Sequence, residues 1–448
     1  FWLKRLKTFL PTTTLHIPRL SANATIDEMG QVLLRAGGCS LPCYHESERL
    51  IAEKSSGGGS AIERGFAWGF SSAQGWRDAM EDAHLALPSL GRFDGGGEDQ
   101  ESDEEEEAGD CSSSSVWART ALFAVMDGHG GPQVARFCER HLPKAVAKGS
   151  GEDVAAALAA GILHVEGMLW QPACLQELRD LSDDPGLLRG GPHAIATRWA
   201  IHPDTIGCTA VLCCVCPELL VVANVGDSRA VLCHAGLALD LSQDHKPDLP
   251  IERHRVEQAG GWVEDEPGSF PICRVNGDLS LSRSLGDLEY KRNSNLRQDA
   301  QLIVATPDVR SCQRRSGDEF LIIACDGIWD VVTSQQAVDF VRRRLGPPAE
   351  WGRRLASGEP FLEEVAEDLI SYCMSPDLDE TEGIGGDNMT VVLVAFPPQE
   401  AKAVHASTVP VGHRQLPAQY VLAPSAMKYA ASPQKPAVTP RAGNDGGA

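Results

Sequence analysis

Four short phrases rich in acidic residues and glycine constrain this chain more than anything else in it: Arg77-Asp78-Ala79-Met80-Glu81-Asp82, Asp127-Gly128-His129-Gly130-Gly131, Asp326-Gly327 and Gly386-Asp387-Asn388. Each lies beside an apolar run. Ala83 to Leu87 follows the first and Ala121 to Met126 precedes the second; Phe320 to Ala324 leads through Cys325 to the third, and Val391 to Ala395 comes just after the fourth. Short apolar runs bounded by turn residues read as strands. Strands held in sheets can deliver Glu81, Asp127, Asp326 and Asp387 to one shared cleft, however far apart they stand along the chain.

The remaining periodicity fills in the framework. Pro132 to about Lys148 and Glu152 to about Leu169 repeat apolar residues three and four apart, as helices do. Thr209 to Cys216 and Leu219 to Asn224 read as strands, and Val225-Gly226-Asp227-Ser228-Arg229 as a turn into another. The pattern is one of hairpin strands around a helical insert rather than regular strand-helix alternation. Two packed sheets flanked by helices fit it better than a doubly wound parallel sheet.

Composition shifts mark the ends of the folded text. Ser55 to Ser60 reads Ser-Ser-Gly-Gly-Gly-Ser, the composition of a flexible joint, which makes residues 1–63 an irregular leader. Beyond Pro397 the chain is rich in Ala, Pro and Ser, so 398–448 is expected to be a disordered tail. That leaves 64–397 as one folded domain without internal repeats. Inside it, nine Asp or Glu residues fall between Glu98 and Asp110. They repel one another and cannot bury a core, so 94–115 is a solvated loop or a segment for a basic partner.

Net charge and cysteine usage narrow the partners. At -22 the chain is unsuited to a nucleic-acid backbone, which is bound by clustered Lys and Arg. Of the 14 cysteines, Cys213, Cys214 and Cys216 lie in strand-like text, where thiols act as small hydrophobes. Cys213 and Cys216 have zinc-like spacing, but no second pair completes a site. Reduced thiols in an intracellular protein of cytoplasm or nucleus are the expectation. No apolar run reaches the roughly 20 residues that a transmembrane helix requires. Phe1 to Leu10 mixes Lys4, Arg5 and Lys7 with bulky apolar residues, which leaves membrane association through this segment open.

The acidic phrases carry a definite chemistry. Mg2+ and Mn2+ prefer carboxylate, carbonyl and water oxygens, and a pair of such ions holds a bridging water and lowers its pKa. Asp127 has two oxygens for two ions, and Gly128 offers a carbonyl with no side chain in the way. Arg77 presents a planar donor set suited to phosphate, Asp82 could hydrogen-bond a metal-bound water, and His129 could protonate a leaving oxygen. Taken singly, each phrase has a plainer reading: an Asp-Gly turn, a solvated Glu81, an Arg77–Asp82 surface pair, a His129 that caps a turn. Asp227 and Asp330 are equally compatible with a weaker third ion and with a turn. Ser282-Arg283-Ser284-Leu285-Gly286-Asp287 has no derivable chemistry, and Asp287 need only hold its turn. There is no Gly-x-Ser-x-Gly elbow or phosphate loop to support another hydrolase.

With these residues the chain resembles the metal-dependent protein serine/threonine phosphatases, the protein phosphatase 2C (PPM) family. The likeness runs in order through Phe70 to His84, Asp127 to Gly131, Gly207-Cys208-Thr209-Ala210, Asn224 to Arg229, Asp244-His245-Lys246-Pro247, Ser282 to Asp287, Asp326 to Asp330 and Gly386 to Thr390. The resemblance implies an α+β fold, a four-layer αββα sandwich of two central antiparallel sheets flanked by helices. It implies two Mg2+ or Mn2+ ions served by Glu81, Asp127, Gly128, Asp326 and Asp387, with a labile third at Asp227 and Asp330. It further implies phosphate binding by Arg77, a water network supported by Asp82 and general-acid catalysis by His129. The expected reaction is hydrolysis of phosphoserine or phosphothreonine in proteins by direct attack of a metal-bridging water, in a monomer. A catalytically silent binding module and a small-molecule phosphomonoesterase are the rivals. Departures are modest: Cys208 stands where serine is common, 171–202 is long, the acidic segment is enlarged, and 244–273 looks like the family's variable flap.

Overall fold

In the computed structural model, which describes residues 46–93, 115–149, 153–182, 201–266, 272–358 and 361–397, the apolar runs become antiparallel strands. In chain order these are β1 (Glu46–Ala61), β2 (Phe66–Arg77), β3 (Ala83–Leu87), β4 (Ala121–Met126), β5 (Gly128–His129), β6 (Gly207–Cys208), β7 (Ala210–Val215) and β8 (Leu219–Val225). There follow β9 (Arg229–His234), β10 (Leu237–Asp240), β11 (Val263–Glu266), β12 (Ile272–Val275), β13 (Leu285–Gly286), β14 (Asp308–Gln313), β15 (Asp318–Ala324) and β16 (Met389–Ala395). The larger sheet runs β1-β2-β16-β15-β9-β10 and the other β14-β8-β7-β4-β3; β13-β6-β5 and β11-β12 are small additions.

Strand alternation shows how these sheets stack. On β4, Leu122, Ala124 and Met126 join a core with α1 (Gln133–Ala147) and α2 (Val154–Leu169), while Ala121, Phe123 and Val125 point the other way. On β15, Phe320, Ile322 and Ala324 join a core with helices near the end of the chain, while Leu321 and Ile323 face the core that already holds Phe123. That middle core contains residues from both sheets and none from the helices. The order is therefore helix, sheet, sheet, helix. Phe66 of β2 and Phe123 of β4 meet edge to face at 5.9 Å across the middle layer. Truncating Phe123 to Ala would cost about 3–5 kcal/mol.

The outer helices end and begin where local chemistry says they should. Beside α1 and α2 lies α3 (Cys174–Asp180), and the flap region contributes α4 (Pro250–Gln258). The other face carries α5 (Asp326–Trp329), α6 (Ser334–Leu345), α7 (Pro348–Ser357) and α8 (Leu362–Cys373). Asp153 caps α2 by accepting the Ala156 N–H at 3.0 Å, and Thr333 with Gln336 forms a capping box at the head of α6. Helix and strand limits fall within a residue or two of the expected ones. Among the described residues no single helix is long and apolar enough to cross a membrane.

One expectation is corrected. Ser55 to Ser60 is not a flexible joint and 46–61 is not irregular: these residues form β1, paired along β2 from Lys54↔Ala73 to Ala61↔Phe66. The glycines serve packing. Gly57 lies opposite Phe70 and Gly59 opposite Trp68, and a Cβ on either would sit 2.8 or 2.5 Å from the facing ring. The rings cover the bare backbone, which is why glycine is tolerated in this strand. Residues 1–45, 94–114, 183–200, 267–271 and 398–448 lie outside the described residues, and with them most of the leader, the acidic segment and the tail.

Candidate active site

The four acidic phrases meet at one end of the two sheets. Arg77 closes β2 and Glu81 and Asp82 sit in the link to β3; Asp127 joins β4 to β5; Asp326 opens α5 directly after β15; Asp387 precedes β16. Asp227 stands where the chain leaves β8 of one sheet for β9 of the other. Two pairings lock the first and last phrases together across 310 residues. Arg77 Nη2 donates to Asp387 Oδ2 at 2.6 Å, and the Glu81 N–H donates to Asn388 Oδ1 at 2.9 Å. Asn388 Nδ2 in turn donates to the carbonyls of Gln74 and Ala79, at 2.7 and 3.0 Å.

The Asp127 phrase is fixed as tightly. Its N–H donates to Thr209 Oγ1 at 3.2 Å, and Thr209 N–H returns a bond to the Asp127 carbonyl at 2.8 Å. A Cβ on Gly128 would lie 2.3 Å from the Glu81 carbonyl oxygen, so any larger residue would push the two phrases apart. His129 Nε2 lies 2.8 Å from Asp287 Oδ2. Burial works against the His129 imidazolium, but Asp287 outweighs it and, with smaller help from Glu81 and Asp227, raises the histidine pKa. Asp287 answers in kind: burial would raise it, yet His129, Ser284 and Lys291 hold it below its ordinary range.

The carboxylates repel one another. Asp127 is pushed well above the ordinary aspartate range by burial and then by Asp326, Asp82, Asp387 and Asp227. Burial and Asp227 do the same to Asp326, and Lys246 only partly offsets them. Glu81 is raised by burial against the pull of His129 and Arg77, and Asp330 is raised by burial against Lys246. Burial lifts Asp82 to about 7. Asp82 Oδ2 accepts from Thr390 Oγ1 at 2.7 Å, whereas buried Oδ1 receives no hydrogen bond of ordinary geometry. Candidate ligand atoms of Asp82, Asp127 and Cys325 all lie within 4.8 Å of one another.

This is the electrostatics of a cation site. Hard oxygens are in excess, one buried oxygen is orphaned, and the nearby positive groups do not match the charge. Glu81, Asp127, the Gly128 carbonyl, Asp326 and Asp387 fit divalent cations as ligands, with Asp82 beside them.

All the residues expected at the site are brought together, but the sequence reading omitted several partners. Lys246 Nζ donates to Asp227 Oδ2 at 2.5 Å and lies 3.8 Å from Asp326 Oδ2. Burial opposes its charge, but Asp227, Asp326 and Asp330 hold its pKa above the ordinary lysine range. Asp227 is thus already matched by an internal cation. Asn388 holds Glu81 and Asp287 holds His129, roles that their sequence neighbours do not indicate. Nothing local marks them, because their partners lie 19 to more than 300 residues away.

The family model described as protein phosphatase 2C matches residues 66–381. Protein phosphatase 2C homolog 2 of Schizosaccharomyces pombe is 36% identical over 357 residues, covering 78% of this chain and 77% of that protein. Probable protein phosphatase 2C 21 of Arabidopsis thaliana is 34% identical over 352 residues, covering 73% and 86%. A crystallised phosphatase of Toxoplasma gondii superposes with a TM-score of 0.53 at 24% identity, over 78% of this chain and 98% of that one, a likeness of fold.

Proposed function

This chain belongs to the protein phosphatase 2C family and is a protein serine/threonine phosphatase, and we propose from that premise a metal-dependent mechanism in which water attacks phosphorus directly. The observation that carries this reading is the closure of Arg77 on Asp387 within a set of carboxylates that raise one another's pKa. Two Mg2+ or Mn2+ ions, when bound, would neutralise phosphoryl charge and make water nucleophilic at neutral pH.

The protein's own groups do the rest. Arg77, 40% exposed at its side chain, presents a permanent positive charge where a phosphoryl group can reach it. Asp82 offers its orphaned Oδ1 as a hydrogen-bond acceptor for the attacking water. His129 gives a proton to the departing serine or threonine oxygen; with Nε2 held on Asp287, the proton at hand is the one on Nδ1. Thr209 and Asn388 orient the loops that carry Asp127 and Glu81. No step needs a covalent phosphoenzyme.

The test is phosphate release from a phosphothreonine peptide, with and without Mn2+ or Mg2+, by the intact protein and by Asp326→Asn. Metal-dependent release that collapses in the variant is expected. No release by folded, metal-loaded protein would point to a binding module, and preference for simple phosphate esters over the peptide would point to a small-molecule phosphomonoesterase.

A further inference from the structure

Asp287, the residue that grips His129, is itself held in an unfavourable conformation. Its φ is +49°, in the left-handed region that costs a non-glycine residue free energy, so something must over-determine this turn. The row Gly286–Gly207–His129 runs across β13, β6 and β5, and a Cβ on Gly207 would fall 2.3 Å from Asp287 Oδ2 and 2.6 Å from His129 Nε2. The histidine and the aspartate therefore meet over a bare glycine, and their contact depends on where the 284–287 turn sits.

A buried ion pair fixes that turn from both sides. Glu166, on α2, accepts the Gly286 N–H at Oε2 (3.0 Å) and Lys291 Nζ at Oε1 (2.9 Å). Lys291 Nζ also donates to the Ser284 carbonyl at 2.8 Å, and Ser284 Oγ donates to Asp287 Oδ2. Glu166 and Lys291 are 8% and 2% exposed, and neither touches the carboxylate cluster. A paired charge this deep contributes little net stability compared with an apolar pair of similar volume, but it fixes geometry.

We propose that Glu166 and Lys291 are positioning residues for the general acid, acting through the Ser284–Asp287 turn to hold His129 in line with the leaving oxygen. This inference rests on the assignment of His129 as the acid. It makes a prediction that a merely structural pair would not: the loss on removing the pair depends on the leaving group. A serine or threonine oxygen needs a proton to depart, whereas p-nitrophenolate does not.

The experiment compares kcat on a phosphothreonine peptide and on p-nitrophenyl phosphate for wild type, His129→Gln, the pair variant Glu166→Leu/Lys291→Met, and the combination of all three, each checked for cooperative thermal melting. The pair variant removes both charges, so no lone buried charge remains. Its peptide turnover is expected to fall about 10–100-fold, a part of the roughly 100- to 10,000-fold that general-acid catalysis supplies, with p-nitrophenyl phosphate turnover little changed. Adding His129→Gln should cost little more. An equal loss on both substrates, or no loss, would overturn the inference while a substrate-selective loss in His129→Gln kept the acid assignment intact. Absence of that selectivity in His129→Gln would overturn the assignment and this inference with it. Should the pair variant fail to melt cooperatively, Glu166→Asp keeps the charge but shortens the reach to Gly286, and the same selective loss is expected of it.

Discussion

Two charged clusters lie near each other in this protein, and their carboxylates shift in opposite directions although burial raises both. Around Asp127 the carboxylates raise one another. Around Glu252 they are pulled down. Glu252 accepts from Arg283 Nη2 at 2.5 Å, from Arg255 and from Ser282 Oγ at 2.8 Å; burial would raise its pKa, but Arg283 and Arg255 drive it to about 2. Asp308 is lowered too: burial is outweighed by His245 and by Arg283, whose Nη1 lies 3.0 Å away. Both clusters are acidic, but only in the second do the internal cations outweigh burial; Lys246 and Arg77 offset it only in part in the first. A cluster that neutralises itself belongs to the scaffold, whereas one left in electrostatic debt is built for a cation from outside.

The comparison can be broken most directly at Asp127. Asp127→Asn is expected to reduce phosphopeptide turnover more than about 1000-fold, yet raise the melting temperature of the metal-free protein by removing one repelling charge. A lower melting temperature without metal would place Asp127 with the scaffold cluster. Glu252→Gln should do the reverse: a loss of about 3 kcal/mol in denaturant unfolding, from stranding Arg255 and Arg283, with Mn2+ stoichiometry unchanged.

Acid titration sharpens the contrast. Glu252 has a folded-state pKa below its unfolded value of 4.5, so its contribution is fully present above that value and is lost as pH falls toward 2. Asp82 has the opposite sign: its folded pKa of about 7 lies above 3.8, so ionising it removes stability as pH rises from 3.8 through 7. Metal-free melting temperature should therefore fall between pH 4 and 7, and this trend should weaken in Asp82→Asn, the other raised carboxylates keeping the rest. Chelation should lower the wild-type melting temperature at pH 7, by the equivalent of about 3 kcal/mol for ions at 100 times their Kd, and leave Asp127→Asn almost unmoved. The smallest effect belongs to the exposed Arg297–Asp299 pair, where Arg297→Ala should leave melting and turnover unchanged.

The first cluster was legible in the sequence and the second was not. Each residue proposed as a ligand stands in a local phrase, an acid beside a strand end or a glycine turn. Glu252, Arg283 and Asp308 carry no such mark, for they become a unit only when α4, the 282–287 turn and β14 are stacked. Lys246 was legible only as part of a resemblance, because its partner Asp227 stands where the chain crosses from one sheet to the other. β1 was misread for a related reason. Glycine and serine speak for a linker until one knows that Phe70 and Trp68 lie opposite, and those rings belong to another strand. Local chemistry can be read from a string; long-range compensation has to be folded first.

On the side away from β1 the neighbour of β2 in the larger sheet is β16, so the second strand of the described fold waits for its last. During synthesis the ribosome must deliver some 310 further residues before Arg77 can meet Asp387, and every nascent chain shorter than that lacks the carboxylate that holds Arg77 in place. Catalytic competence is thus withheld until Asp387 and β16 have been made, and a product cut before Met389 would leave the cell with no partially active fragment to restrain.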